Sequence, residues 1–158
     1  MIKLKLLEVN KELIKEAEDF FDKDYLKDLK ETKFHSYEDS IVSRYMVSKL
    51  ASEELGIANY VPALDFEEEQ FENFTYAISH KDGNIFVGIS DDFLGLDIEK
   101  YKERDESVFE YFTDRELDIL GGKNFTSFYT GWTAKESLIK FFSNYQLTIC
   151  MMLRFLEL

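Results

Sequence analysis

Residues 74–98 read FTYAISHKDGNIFVGISDDFLGLDI. Phe74 to Ser79 and Ile85 to Ile89 are short runs rich in β-branched and aromatic residues, and Asp82-Gly83-Asn84 between them tolerates the backbone of a tight turn. Asp91 and Asp92 make a second break, after which Phe93 to Ile98 reads as a third strand. The stretch predicts a small antiparallel meander, and the flanking segments must supply what packs on it.

Upstream, Ile2, Leu4 and Leu6 alternate with Lys3 and Lys5, a half-buried first strand ending near Val9. Asn10 caps a helix whose Leu13, Ile14, Ala17, Phe20 and Phe21 recur at helical spacing. A short helix covers Tyr25 to Lys30. Ser36, Glu38 and Asp39 start a longer one, with Ile41, Val42, Tyr45, Met46 and Leu50 inward and Gly56 at its end. Around Pro62 the chain is extended, and Glu67 to Glu69 form an acidic loop. Downstream come a helix near Glu106 to Phe112, another from Thr113 to about Leu120, a Gly121-Gly122 break, and a long helix from Asn124 to Phe142. The tail from Tyr145 to Leu158 reads as one more strand. With no short repeat, low-complexity segment or flexible linker, the order of elements predicts an α+β domain.

Composition narrows the chemistry. Of 158 residues, 19 are basic and 32 acidic, a formal charge of −13, and the 45% hydrophobic and 16% aromatic content excludes disorder as the dominant state. The apolar run Ile149 to Leu153 is too short to span a membrane, and the N-terminus lacks the apolar core of a secretory signal, so the chain is expected neither to span a membrane nor to be secreted. One cysteine, Cys150, forms no internal disulfide and no thiolate metal site, which fits a reducing cytoplasm. Such acidity repels a phosphate backbone and argues against nucleic-acid binding. Carboxylates that hold a divalent cation are the chemistry to look for.

Gly95-Leu96-Asp97-Ile98-Glu99 is the sharpest feature. On a strand, Asp97 and Glu99 project from one face, and two carboxylates in one small space are stable only with a proton, water or a cation between them. Hard oxygen ligands of this kind suit Mg²⁺; a strand end with two solvated acids is the bland account. On the long helix, Tyr129, Trp132 and Glu136 share a stripe, with Lys140 one turn beyond the acid and Lys135 beside it. Taken alone, an ordinary i to i+4 ion pair explains that stripe slightly better. Thr113 to Glu116 spells a capping box, a complete structural reason for Glu116. Ser79-His80 ends a strand where an imidazole can meet a phosphate, although a lone histidine is commonly just a surface residue.

Taken in order, Ile78-Ser79-His80, Gly95-Leu96-Asp97-Ile98-Glu99, Phe112-Thr113-Asp114-Arg115-Glu116 and Trp132-Thr133-Ala134-Lys135-Glu136-Ser137-Leu138-Ile139-Lys140 resemble the motifs of the 4′-phosphopantetheinyl transferases, of the Sfp type. The resemblance implies two pseudo-duplicated α+β halves, residues 1–90 and 91–158, the second shortened, with a metal at their junction. It implies transfer of 4′-phosphopantetheine from coenzyme A to a serine of an apo acyl or peptidyl carrier protein, with Mg²⁺ as cofactor and release of 3′,5′-ADP. Asp97, Glu99 and Glu136 then match the metal-binding acids. His80, Arg44, Lys135 and Lys140 match coenzyme A contacts, and Glu136, Lys140 and Glu116 the catalytic set. The carrier is open among fatty-acid, polyketide and nonribosomal-peptide types, and the chain is a monomer or a dimer.

Two regions depart from that pattern. Glu67-Glu68-Glu69-Gln70 stands where Sfp-type chains often carry Gly-Lys-Pro, and 18 residues follow Lys140. A relative that binds metal or nucleotide without transferring anything, and a Mg²⁺-dependent phosphohydrolase or nuclease, are the competing readings. An acidic carrier needs a local cationic patch, for which Lys23, Lys27 and Lys30 share one helical stripe; a solvated helix face accounts for them as well.

Overall fold

The computed structural model describes residues 1–32, 36–64, 68–71 and 74–143. Its centre is the hairpin of β3 (Phe74–Lys81) and β4 (Asn84–Ser90). Asp82 and Gly83 take φ of 48° and 78°, the left-handed backbone of a two-residue hairpin turn. Strand β1 (Ile2–Glu8) pairs antiparallel with the outer side of β4, and β2 (Glu68–Phe71) with the outer side of β3, giving the order β1-β4-β3-β2.

That order overturns the expected third strand of the meander. Register pairs Ile2 with Ser90 and Leu6 with Phe86, so β1 already occupies the edge of β4 that Phe93 to Ile98 would need. The segment leaves the sheet instead and crosses its face, with no regular secondary structure. Glu68 and Glu69, expected in an acidic loop, instead belong to β2, while Glu67 lies outside the described residues.

One face of the sheet carries the main core. Tyr76 and Ile78 of β3 and Ile85, Val87 and Ile89 of β4 are fully buried against α3 (Tyr37–Leu55), which contributes Ile41, Val42, Met46, Val47 and Leu50. Ser36 caps α3 at its start, and Gly56, at φ 70°, closes it. Helices α1 (Lys11–Phe20), capped by Asn10, and α2 (Lys23–Glu31), capped by Asp22, complete this layer through Ala17, Phe21 and Leu29. On β1 the alternation is real but its apolar row faces away from the core. Lys3 and Lys5 turn toward α3 and pair with Glu54 and Glu53, while Ile2, Leu4 and Leu6 are exposed. The margin of the sheet meets the carboxylates at the end of α3, so the ammonium row is the one that fits there.

The opposite face is built from small side chains. Leu94 and Leu96 of the crossing segment pack on Ala77 beside Phe86, and a methyl group at Gly88 would sit 2.6 Å from Leu4 Cδ2 and 2.9 Å from Leu94 Cδ2. The Thr75 hydroxyl bonds the Asp92 carbonyl and anchors the start of the crossing. Beyond it lie a 3₁₀ helix (Glu106–Tyr111), where a regular helix was expected, α4 (Asp114–Leu120) and α5 (Phe125–Ser143). These three share a second cluster of Phe109, Phe112, Leu117, Phe128 and Tyr129. The far end of α5 reaches back over the crossing segment, where the Gly95 backbone lies directly against the Ser137 carbonyl and the Phe141 amide.

The α+β class read from the sequence is the one observed. The strand expected from Tyr145 onward and Cys150 lie outside the described residues. Among the described residues no helix is long and apolar enough to cross a membrane. Gly95→Ala should destabilise the fold by about 2–3 kcal/mol, because its added carbon meets backbone that cannot move without displacing α5. Gly88→Ala should cost less, since its two closest contacts are the ends of leucine side chains, and the Lys3 carbonyl, at 3.1 Å, need give by only a few tenths of an ångström. Urea denaturation of both variants checks the order.

Candidate functional site

A pocket of about 500 Å³ opens beside the hairpin turn, lined by Ser36, Ser79, His80, Lys81, Asp82, Asp97, Ile98, Glu99 and Lys140. Strand alternation sends Ser79 and Lys81 to the face crossed by the 93–99 segment and His80 to the other. The crossing segment supplies Asp97 and Glu99, and the last turns of α5 supply Lys140. Asp97 and Glu99 therefore share one pocket as extended chain, not as neighbours on a strand.

Ser79 ties the walls together. Its hydroxyl accepts the Ile98 amide at 3.1 Å and the Lys140 ammonium at 3.2 Å, and donates to Asp97 Oδ1 at 3.4 Å. Lys140 also donates to Asp97 Oδ1 at 3.1 Å. The Ser79 side chain is buried, so the triangle of hydroxyl, carboxylate and ammonium is largely shielded from water. On the other flank, Lys81 Nζ lies 3.4 Å from Glu99 Oε2, an ion pair without hydrogen-bond alignment.

Two carboxylate oxygens, Asp97 Oδ2 and Glu99 Oε2, are buried with no hydrogen-bond partner. Buried oxygens in that state carry an unmet demand for positive charge. Glu136, on α5, does not line the pocket but senses it. Burial first, and then the Asp97 and Glu99 carboxylates, raise its proton affinity above the ordinary glutamate range, with Lys140 opposing. The donor set is thus two hard carboxylates in one pocket and a third within electrostatic reach, which fits a divalent cation such as Mg²⁺. Among the described residues no three such groups form a ready-made ligand cluster.

Three residues matched to coenzyme A or catalysis lie elsewhere. Arg44 is buried in α3, donating to the Ser40 and Leu64 carbonyls at 3.4 and 3.0 Å, which fastens the helix to the chain that follows it. Lys135 pairs with Glu116 at 2.9 Å, donates to the Tyr111 carbonyl at 3.0 Å and covers the Phe112 ring. Glu116 closes the capping box on Thr113. Burial raises its proton affinity, but Lys135 and the Thr113 amide outweigh that and hold its carboxyl below the usual range. Both side chains join α4 to α5 and take no part in the pocket. Sequence reasoning missed Lys81 and Ser36. Lys81 follows Ser79 by two on the same strand, the one signal that would have placed it.

Residues 93–156 match the family model of the 4′-phosphopantetheinyl transferase superfamily. This bears out the superfamily resemblance over the segment that carries Asp97, Glu99, Glu116, Lys135, Glu136 and Lys140. No curated protein matches the chain at a significant level.

Folded Glu136 holds its proton more tightly than the unfolded chain does, so ionising it costs stability, fully above its folded titration and not at all well below its unfolded one. Glu136→Gln should therefore melt higher than the parent at neutral pH, with the difference closing in acid. Thermal melts of both from about pH 4 to pH 8 test this; equal melting temperatures at neutral pH would refute the raised proton affinity.

Proposed function

We propose that the chain transfers 4′-phosphopantetheine from coenzyme A to a serine of an acyl or peptidyl carrier protein. The observation that supports this most is the convergence of Ser79, His80, Asp97, Glu99 and Lys140, from three distant stretches of chain, in one pocket. The organisation into residues 1–90 and 91–158 is part of the same proposal, since each part supplies one wall.

The reaction forms a bond from the carrier serine oxygen to the β-phosphorus of coenzyme A and breaks the bond from that phosphorus to the bridging oxygen. The leaving 3′,5′-ADP takes the negative charge. Such a transfer needs alignment and charge neutralisation more than covalent help. Lys140 is placed by Ser79 and Asp97 with its ammonium in the pocket, where it offsets charge on the leaving phosphate. Asp97 and Glu99 would hold Mg²⁺ through their oxygens that lack hydrogen bonds, with Glu136 as the third acid. The ion, when bound, supplies Lewis-acid neutralisation of the pyrophosphate. Glu136, with its raised proton affinity, accepts the serine proton. His80 donates to a phosphate oxygen from the opposite wall.

A second reading draws on Arg44 and Lys135. With both engaged outside the pocket, coenzyme A lacks two of the cations the resemblance assigned to it, which favours a relative that binds without transferring.

Incubation of the protein with Mg²⁺, coenzyme A and several apo carriers should yield a carrier heavier by one phosphopantetheine. Asp97→Asn should cut the rate by about a hundredfold or more while the protein stays folded. Coenzyme A binding with no carrier modified would establish the binding-only reading, and phosphodiester cleavage without a carrier would point to a hydrolase.

A further inference from the structure

The pocket holds its two lysines in different ways. Lys140 is fixed by two hydrogen bonds, to Ser79 and to Asp97. Lys81 lies against Glu99 at 3.4 Å, close enough for attraction but not aligned as a hydrogen bond, and its side chain is 37% exposed against 15% for Glu99. The buried acid is thus neutralised by a lysine that reaches in from the pocket rim. The backbone beneath Lys81 is firm, because it pairs with Asn84 across the tight turn, so any rearrangement is confined to the flexible side chain.

Glu99 Oε2 is poorly served by this arrangement. A divalent cation is a stronger partner for a buried carboxylate than a misaligned ammonium. Once Glu99 turns to such an ion, Lys81 loses its counter-charge while remaining in the pocket wall. Its charge then needs an anion, and a phosphate oxygen entering with the cation supplies one. Arg44 and Lys135 are committed to carbonyl and carboxylate partners elsewhere, so Lys81 adds to Lys140 a second ammonium in the pocket wall.

We propose that Lys81 is a phosphate-binding residue of this pocket, held by Glu99 until a divalent cation takes that carboxylate. The proposal builds on the transferase reading but makes a separate claim: one lysine competes with the metal and cooperates with the phosphate. A merely structural lysine would support both or neither.

Calorimetric titration of the full chain separates these outcomes. With Mg²⁺ alone, Lys81→Met should bind the ion about two- to threefold more tightly than the parent, because a competing charge is gone; unchanged affinity would overturn the competition. With coenzyme A in saturating Mg²⁺, the same variant should bind about tenfold more weakly, and Lys81→Arg should retain most of the parent affinity. Weakening of Mg²⁺ and coenzyme A together in Lys81→Met, or no change in coenzyme A affinity, would overturn the proposal. Inorganic pyrophosphate with Mg²⁺ is the companion probe. If the parent binds pyrophosphate in a Lys81-dependent way but not coenzyme A, the transferase reading fails and this one stands; if it binds neither, both fail.

Discussion

The Gly95 backbone lies against the Ser137 carbonyl so closely that no side chain fits between them. The placement of Asp97 and Glu99 relative to Lys140 depends on this contact. The segment bearing Asp97 and Glu99 has no strand partner, so its path is set by what presses on it: the sheet through Leu94 and Leu96 below, and α5 above. Bringing α5 down onto bare backbone carries Lys140 to the level of Asp97, and the Ser79 hydroxyl joins the two with the Ile98 amide. Small residues do the same on the sheet side, where Ala77 and Gly88 leave the room that Leu94 fills. The pocket is the gap left where three layers approach unusually closely.

Much of the local structure was readable. Asn10, Ser36 and the Thr113 to Glu116 capping box each begin the helix they announce, and Gly56 and Gly121 end theirs in left-handed backbone. Asp82-Gly83 makes the expected hairpin because few other pairs accept two left-handed residues in succession. The misreading of Phe93 to Ile98 has a physical cause. Leu94 and Leu96 alternate with more exposed positions whether an extended chain pairs with a strand or lies across a sheet, and the choice was made some ninety residues earlier in the chain, when β1 took the edge of β4.

The site divides along similar lines. Asp97, Glu99, His80 and Lys140 were legible as residue types in order, and they do gather. Arg44 and Lys135 were not, since a long cationic side chain can turn toward a pocket or toward a nearby carbonyl, and only the packed neighbours decide. For Arg44 the deciding neighbour is the Leu64 carbonyl; for Lys135 it is the end of the 3₁₀ helix and Glu116. Asp97 and Glu99 also show a local conflict with stability. Packed apolar groups would suit the fold better than carboxylates with buried oxygens that lack hydrogen bonds, and such exceptions concentrate where chemistry is done.

The likeness to known transferases begins at Phe93, whereas the Ser79 hydroxyl, Lys81 and the cap of α3 all come before it. The stretch that similarity marks out is consequently smaller than the unit that forms the pocket. An excised piece bounded by that likeness would keep its acids and Lys140 but lose the floor on which they rest, and Leu94 and Leu96 would have no sheet to lie on. The border of the likeness and the border of the packed pocket differ in this molecule, and any dissection into modules has to follow the second.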